Sequence, residues 1–329
     1  MNDVLLVVVV LVALGFDFTN GFHDTANAVA TSVSTRALSP RLAVAVAAVA
    51  NLAGAFVTTA VAKTVGKGII DTGLANEKTV LAALIGAIVW NLITWRLGLP
   101  SSSSHALIGG LVGAAMAQSG FKGVQWHGLA HNVAIPALAA PTIAFIGAFL
   151  LLLAIYWVFR WMTPGVANRT FRLGQLASGT WVAFTHGAND AQKTMGVIAL
   201  ALFETGHLSH FYIPTWVIVA AALAIAGGTY VGGWRIMRTL GQRVINMEPA
   251  SGFAAQVTAG VTIYMATRLG YPLSTTHVIS GSVMGAGATK RLSAVRWGVA
   301  GNIVFAWILT IPAAGLVAAA LYWPVQGIF

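Results

Sequence analysis

Residues 18–27 read FTNGFHDTAN and residues 184–193 read FTHGANDAQK, so that the same Phe-Thr, Gly and Asp recur at a fixed offset of 166. A second pair follows in the same order: LGLPSSSSHALIGG from Leu97 and LGYPLSTTHVISGS from Leu269, each preceded by an Arg, at an offset of 172. A fainter third pairs Trp126, Asn132 and Pro141 with Trp297, Asn302 and Pro312. Ordered matches with a slowly drifting offset mean two homologous halves. They divide the chain into a first repeat over 1–162, a connecting segment over 163–174 marked by Pro164, Gly165 and basic residues, and a second repeat over 175–329.

Of 329 residues, 57% are hydrophobic and 8% charged, against about 25% charged in a soluble domain. A water-soluble globule is therefore excluded. Apolar runs of about twenty residues supply material for about eight to ten membrane-crossing or re-entrant helices. Their lack of alternation favours helices over a barrel. The expected fold is an all-α polytopic membrane protein. Each half reads as a helix interrupted by the first motif, two spanning helices, a re-entrant Pro-Ser/Thr hairpin and a long final helix. In the first half these fall at about 4–35, 41–62, 80–98, 100–118 and 130–160. Paired interrupted segments point to a secondary transporter with its site where the two breaks meet. If both interrupted elements turn back, the halves are inverted; if the first one crosses, they are parallel.

Eighteen Lys and Arg against eight Asp and Glu give a net charge of +10, and most of the positives sit in short connections. That is topology-setting loop charge, with no nucleic-acid partner implied, although it would also draw anions toward an entrance. The absence of cysteine excludes disulfides, thiolate metal sites and thiol nucleophiles. Val4 to Phe16 is apolar without a basic leader, which reads as a retained membrane helix.

The first motif puts Asp17, Asn20, Asp24 and Asn27 on one helical face. A carboxylate inside a bilayer is costly without a partner, so Asp24 and Asp190 mark an ion or proton pathway. Carboxylate, amide and carbonyl oxygens suit a hard cation such as Na⁺, and an Asp that protonates serves H⁺ equally well. The second motif, Pro100 to His105 and Pro272 to His277, clusters hydroxyls at helix starts, where unpaired N–H groups and the helix dipole favour an oxyanion. Lys193, three residues after Asp190, either neutralises that carboxylate or meets the anion directly. An intramembrane serine hydrolase built on Ser104-His105 does not fit a motif repeated in both halves. His127 and His131 lack the Glu of a zinc-protease HExxH. Duplicated interior carboxylates favour a carrier over a simple pore.

With GFHDTANAVATSVSTRALSP, HGANDAQKTMGVIALAL, PSSSSHALIGG and PLSTTHVISG in this order, the chain resembles the inorganic phosphate transporter (PiT) family, bacterial type, over essentially its whole length. The resemblance implies an inverted-repeat carrier of the plasma (inner) membrane, often a homodimer, and not an enzyme. It would move inorganic phosphate by symport with Na⁺ or H⁺; some members carry a neutral metal-phosphate complex, and some relatives are similar to sulfate permeases. It implies no cofactor beyond the coupling ion. Asp24, Asn27, Asn189 and Asp190 would form the coupling-ion region, with Na⁺ as the candidate metal there. Ser102, Ser103, Ser104, Ser274, Thr275 and Thr276 would contact phosphate, together with Gln192 and Lys193. The first signature departs from the family in carrying His23 where many members have Asn.

Overall fold

The computed structural model describes residues 3–71, 73–74 and 76–329. The first half folds as α1 (Asp3–Ser34), α2 (Pro40–Gly54), α3 (Ala60–Lys67), α4 (Glu77–Leu97), α5 (Ser103–Ser119) and α6 (Trp126–Val158). The second folds as α7 (Pro164–Glu204), α8 (Thr215–Val231), α9 (Trp234–Arg243), α10 (Pro249–Arg268), α11 (Thr275–Ala288) and α12 (Trp297–Ile328). Among the described residues the only β pairing is one isolated bridge between Ile70 and Val124. The expectation of an all-helical protein holds. Polarity is inside out relative to a soluble protein. Leu138, Ile308 and Leu316 are more than 70% exposed, whereas Asp24, Asp190 and Lys193 are at most 2% exposed. Such a surface belongs in lipid.

Among the described residues four helices, α1, α4, α6 and α12, are long and apolar enough to cross a bilayer, and α8 with α9, bent by 59°, would make a fifth. The remaining elements include shorter or more polar helices: α2, α5 and α11 are only 15, 17 and 14 residues long, and α7 carries the polar second signature in its middle.

One correction concerns the breaks. The first motif interrupts neither helix: α1 runs unbroken through Asp24 and α7 through Asp190. Neither stretch contains proline, and Gly21 and Gly187 serve close packing instead of a left-handed turn. A Cβ on Gly21 would lie 2.9 Å from the Thr229 backbone N, and one on Gly187 2.5 Å from Asn51 Cα. The next element of each half is the broken one. The expected 41–62 helix divides into α2 and α3, and its counterpart bends between α8 and α9 at Gly232, whose φ is +82°. The Pro-Ser/Thr hairpins form as expected. Each turns on a glycine at the same place in its repeat, Gly98 at φ +67° and Gly270 at φ +81°, a region that only glycine enters without strain. The 164–174 stretch, expected as a connection, lies in the first three turns of α7.

The halves exchange partners. α1 packs on α8 as α7 packs on α2; α5 packs on α12 as α11 packs on α6; α1 meets α9 as α7 meets α3. Down the centre α1 and α7 run antiparallel. His207, just past the end of α7, lies 3.8 Å from Asp3 at the start of α1, while Asp24 and Asp190 meet at mid-length around His186.

Candidate functional site

Mid-length on α1 and α7, the antiparallel pair brings both signature carboxylates to one place. One ligand atom each from Asp24, His186 and Asp190 falls within 4.8 Å of the others. His186 Nε2 lies 3.6 Å from Asp190 Oδ2 and 4.0 Å from Asp24 Oδ2, and neither Nε2 nor Asp190 Oδ2 has a hydrogen-bond partner. The proton on the ring is fixed from behind. Thr229 Oγ1 donates to the Ile225 carbonyl at 2.8 Å and accepts from Asn51 Nδ2 at 2.8 Å, so Asn51 Oδ1 accepts from His186 Nδ1 at 2.9 Å. With Nδ1 engaged by Asn51, the ring turns its Nε2 edge on the two carboxylates. One imidazole and two carboxylates facing one another in a buried place are side chains of the kind that ligate cations.

Asp24 and Asp190 keep different company. His23 Nδ1 lies 2.7 Å from Asp24 Oδ1, and the other face of that ring reaches Thr94 Oγ1 at 3.1 Å and Ser101 Oγ at 3.3 Å. Asp190 Oδ1 instead accepts from Lys193 Nζ at 2.7 Å. Two carboxylates and one ammonium thus share the buried centre with two imidazole rings.

Two helix starts converge on this cluster. Ser102 Oγ caps α5 by accepting from His105 N at 3.0 Å, and Ser274 Oγ caps α11 by accepting from His277 N at 3.2 Å. The hydroxyls one and two places on face the centre. Lys193 Nζ donates to Ser104 Oγ at 2.5 Å and to the Leu273 carbonyl at 2.8 Å; Ser104 Oγ donates to that same carbonyl at 3.0 Å. Asn27 Nδ2 donates to Thr276 Oγ1 at 2.9 Å and lies 3.5 Å from Thr275 Oγ1. Thr276 Oγ1 is also 3.5 Å from Asp24 Oδ1, and Ser103 Oγ 3.5 Å from His23 Nδ1. All these side chains are at most 2% exposed, so the centre is closed to solvent on both sides.

The structure therefore brings Asp24, Asn27, Asp190, Lys193, Ser103, Ser104, Thr275 and Thr276 together. Four expected members are engaged elsewhere: Ser102 and Ser274 cap α5 and α11, and Asn189 and Gln192 sit at the margin. Asn189 Nδ2 donates to Thr267 Oγ1 at 2.8 Å and to the Tyr271 carbonyl at 3.1 Å, with its own carbonyl oxygen unpartnered. Gln192 does not face the centre. Its Oε1 accepts from Val61 N at 2.9 Å and Ala62 N at 3.3 Å, capping α3, and its Nε2 donates to the Ala188 carbonyl. Sequence reasoning gave no role to His186 or to its positioning residue Asn51. The signal for His186 was its place four residues before Asp190, one helical turn away.

Comparison with known proteins follows the same line. Residues 20–318 match the model of the phosphate transporter family. A curated protein of Mycobacterium bovis, named "Probable low-affinity inorganic phosphate transporter", is 53% identical over 97% of this chain and 77% of its own length. Proteins of the same name from Rhizobium meliloti (50% identical, 97% and 96% covered) and Bacillus subtilis (44% identical, 99% and 100% covered) match nearly end to end. A solved structure titled "The sodium-dependent phosphate transporter" superposes with a TM-score of 0.89 at 24% identity, covering 99% of this chain and all of the other.

Proposed function

Because the chain belongs to the phosphate transporter family, and so is a multi-pass plasma-membrane transporter and not an enzyme, we propose that it is a symporter. In this reading inorganic phosphate enters only with a cation, Na⁺ or H⁺, taken up at Asp24, Asn27, Asn189 and Asp190. The two facing carboxylates of the closed centre, matched by a single ammonium, carry the argument. A phosphate anion added beside these carboxylates crowds negative charge into a low-dielectric interior, at a cost of several kcal/mol. A cation beside His186 Nε2 and the facing carboxylate oxygens removes that penalty, so each ion makes room for the other. Lys193, Ser103, Ser104, Thr275, Thr276 and the first free amides of α5 and α11 supply the donors that a tetrahedral oxyanion needs. Ser102 and Ser274 act one step back, by fixing those helix starts.

The exchanged packing and the antiparallel run of α1 and α7 support an inverted relation between repeats over 1–162 and 175–329. Rocking of one repeat against the other would then expose the buried centre to either side in turn.

A second reading is favoured by one observation, the His and two carboxylates within 4.8 Å. This set also suits a divalent ion, and phosphate would then be carried as a neutral metal-phosphate complex. Labelled phosphate uptake into vesicles holding the purified chain, with Na⁺ and pH gradients imposed separately and divalent ions removed in one arm, decides among these. The symport reading expects accumulation driven by one gradient without divalent ions. Preference for sulfate over phosphate would overturn the substrate.

A further inference from the structure

Three aromatic rings that take no part in the centre meet behind the hairpin hydroxyls, against α6 and α12. His105 and His277, each following the last hydroxyl of its hairpin, are buried and stand edge to face, with centroids 4.6 Å apart at 83°. Trp307 of α12 stacks on His277 at 4.0 Å and 25°, and its Nε1 donates to the Pro100 carbonyl at 3.1 Å. Pro100 opens the hairpin motif that carries His105, so the contacts close a ring: the first hairpin touches His277, His277 touches Trp307, and Trp307 returns to the first hairpin. The repeat duplicates the histidines and not the tryptophan. At the offset of 171 that relates Trp126 to Trp297, α6 carries Pro136 where α12 carries Trp307.

The packing leaves the two helix starts in need of such a link. α5 packs on α12 and α4, and α11 on α6 and α10; neither is a main partner of the other. Glycines bring each pair close: a Cβ on Gly109 would lie 2.9 Å from Ile311 Cα, and one on Gly281 3.1 Å from Pro141 Cα. Each helix start is thus tied to its own long helix, and behind the rings a cavity of about 590 Å³ separates those two helices, bounded by Pro141, Phe145, Ile308 and Ile311. Toward the centre, Ser104 Oγ donates to the Leu273 carbonyl of the other hairpin at 3.0 Å. A phosphate that takes the Ser104 hydroxyl competes with this bond, whereas the rings keep their contacts. Neither nitrogen of His277 has a hydrogen-bond partner, so its ring joins the stack by shape. Donors around a small anion must be held to within about 0.5 Å. We infer that the stack of His105, His277 and Trp307 is a strut that fixes the spacing of the α5 and α11 helix starts, and thereby the size of tetrahedral oxyanion they accept. The three are positioning residues, acting through the helix starts, and the inference rests on the reading above in which the hairpins hold phosphate.

The test compares uptake of labelled phosphate and of arsenate, an oxyanion of the same shape and charge with longer bonds to oxygen, by the purified full chain in vesicles. His277→Ala should shift the ratio of the two KM values in favour of arsenate by about tenfold, the scale of one aromatic pair. His277→Phe keeps a ring in the stack and should stay within about twofold of the parental ratio. General damage lowers uptake of both anions and leaves the ratio in place. A parental ratio in His277→Ala, or an equal shift in His277→Phe, overturns the strut. If His277→Ala gives no monodisperse protein, Trp307→Phe decides: it cannot donate to the Pro100 carbonyl and should shift the ratio by about threefold, and an unchanged ratio sinks the inference. Ser103→Ala/Ser104→Ala measured alongside keeps the two ideas apart. A raised KM for phosphate in that pair with a parental ratio in His277→Ala retains phosphate at the hairpins and discards the strut; a parental KM in the pair with a shifted ratio in His277→Ala does the reverse for the hydroxyl contacts.

Discussion

Asn27 Nδ2 donates to Thr276 Oγ1 at 2.9 Å, and the residues at the matching positions of the opposite halves, Lys193 and Ser104, meet at 2.5 Å. Each signature helix thus reaches across to the hairpin of the other half. The relation is symmetric in position and asymmetric in charge: a neutral amide on one side, an ammonium on the other. In the proposed reading the cation takes the end near His186 and Asp24, and the anion the end near Lys193.

This arrangement predicts that Lys193→Met is strongly destabilising, because it strands the Asp190 carboxylate in the interior. Breaking one side of a buried pair costs about 3–5 kcal/mol. The double variant Lys193→Met/Asp190→Asn should recover most of the lost thermal stability in detergent while remaining inactive in phosphate uptake. Equal melting temperatures for the single variant and the parent would mean that water reaches the pair.

The hairpin hydroxyls should set phosphate affinity. Hydrogen bonds to a charged group are worth about 1.5–3 kcal/mol each, so Ser103→Ala/Ser104→Ala or Thr275→Ala/Thr276→Ala should raise the KM for phosphate by about a hundredfold. Ser102→Ala and Ser274→Ala, which remove caps, should instead lower stability by about 1 kcal/mol. A KM within twofold of the parent in both double variants would reduce the hairpins to wall material.

The repeat, the helical class and the meeting of four motifs were legible in the sequence because each is carried by residue identity at a fixed offset. The positions of the breaks were not. Asp, Asn and Gly in the first motif look like a helix interruption, but Gly21 and Gly187 serve close approach to a neighbouring helix, and packing partners are invisible in a single sequence. The real bends fall after Gly54 and at Gly232, inside runs apolar enough to read as continuous. Gln192 misled for a similar reason. Its neighbours in sequence face the centre, yet its own position on the helix turns it toward the free amides of α3, an element that had been read as the end of a longer helix.

Asn51 touches none of the charged groups and should still matter, because it orients the His186 ring so that Nε2 faces both carboxylates. Outer-shell partners of this kind cost about 10- to 100-fold in cation affinity when removed. Asn51→Leu should raise the cation concentration that half-saturates uptake by that factor while leaving the KM for phosphate at saturating cation unchanged. Conversion to Asn51→Asp, which still accepts from Nδ1, should restore part of the loss. A KM for phosphate that moves as much as the cation requirement would indicate general damage to packing.

Finally, the two signature carboxylates should respond differently to neutralisation. Asp24 is partnered by His23, an imidazole that, unlike a lysine, carries no fixed charge, so Asp24→Asn strands no permanent ion. Asp190→Asn frees the Lys193 ammonium inside the protein, with only Ser104 and a carbonyl left to receive it. Both variants remove a carboxylate from the cation end and should abolish ion-driven phosphate accumulation. Only Asp190→Asn should also lower the melting temperature by several degrees, as a stability loss of a few kcal/mol implies. Uptake assays and thermal unfolding on the same preparations separate the two effects. Parental uptake with unchanged ion dependence in Asp24→Asn would remove Asp24 from the coupling site and leave His186 and Asp190 to act without it.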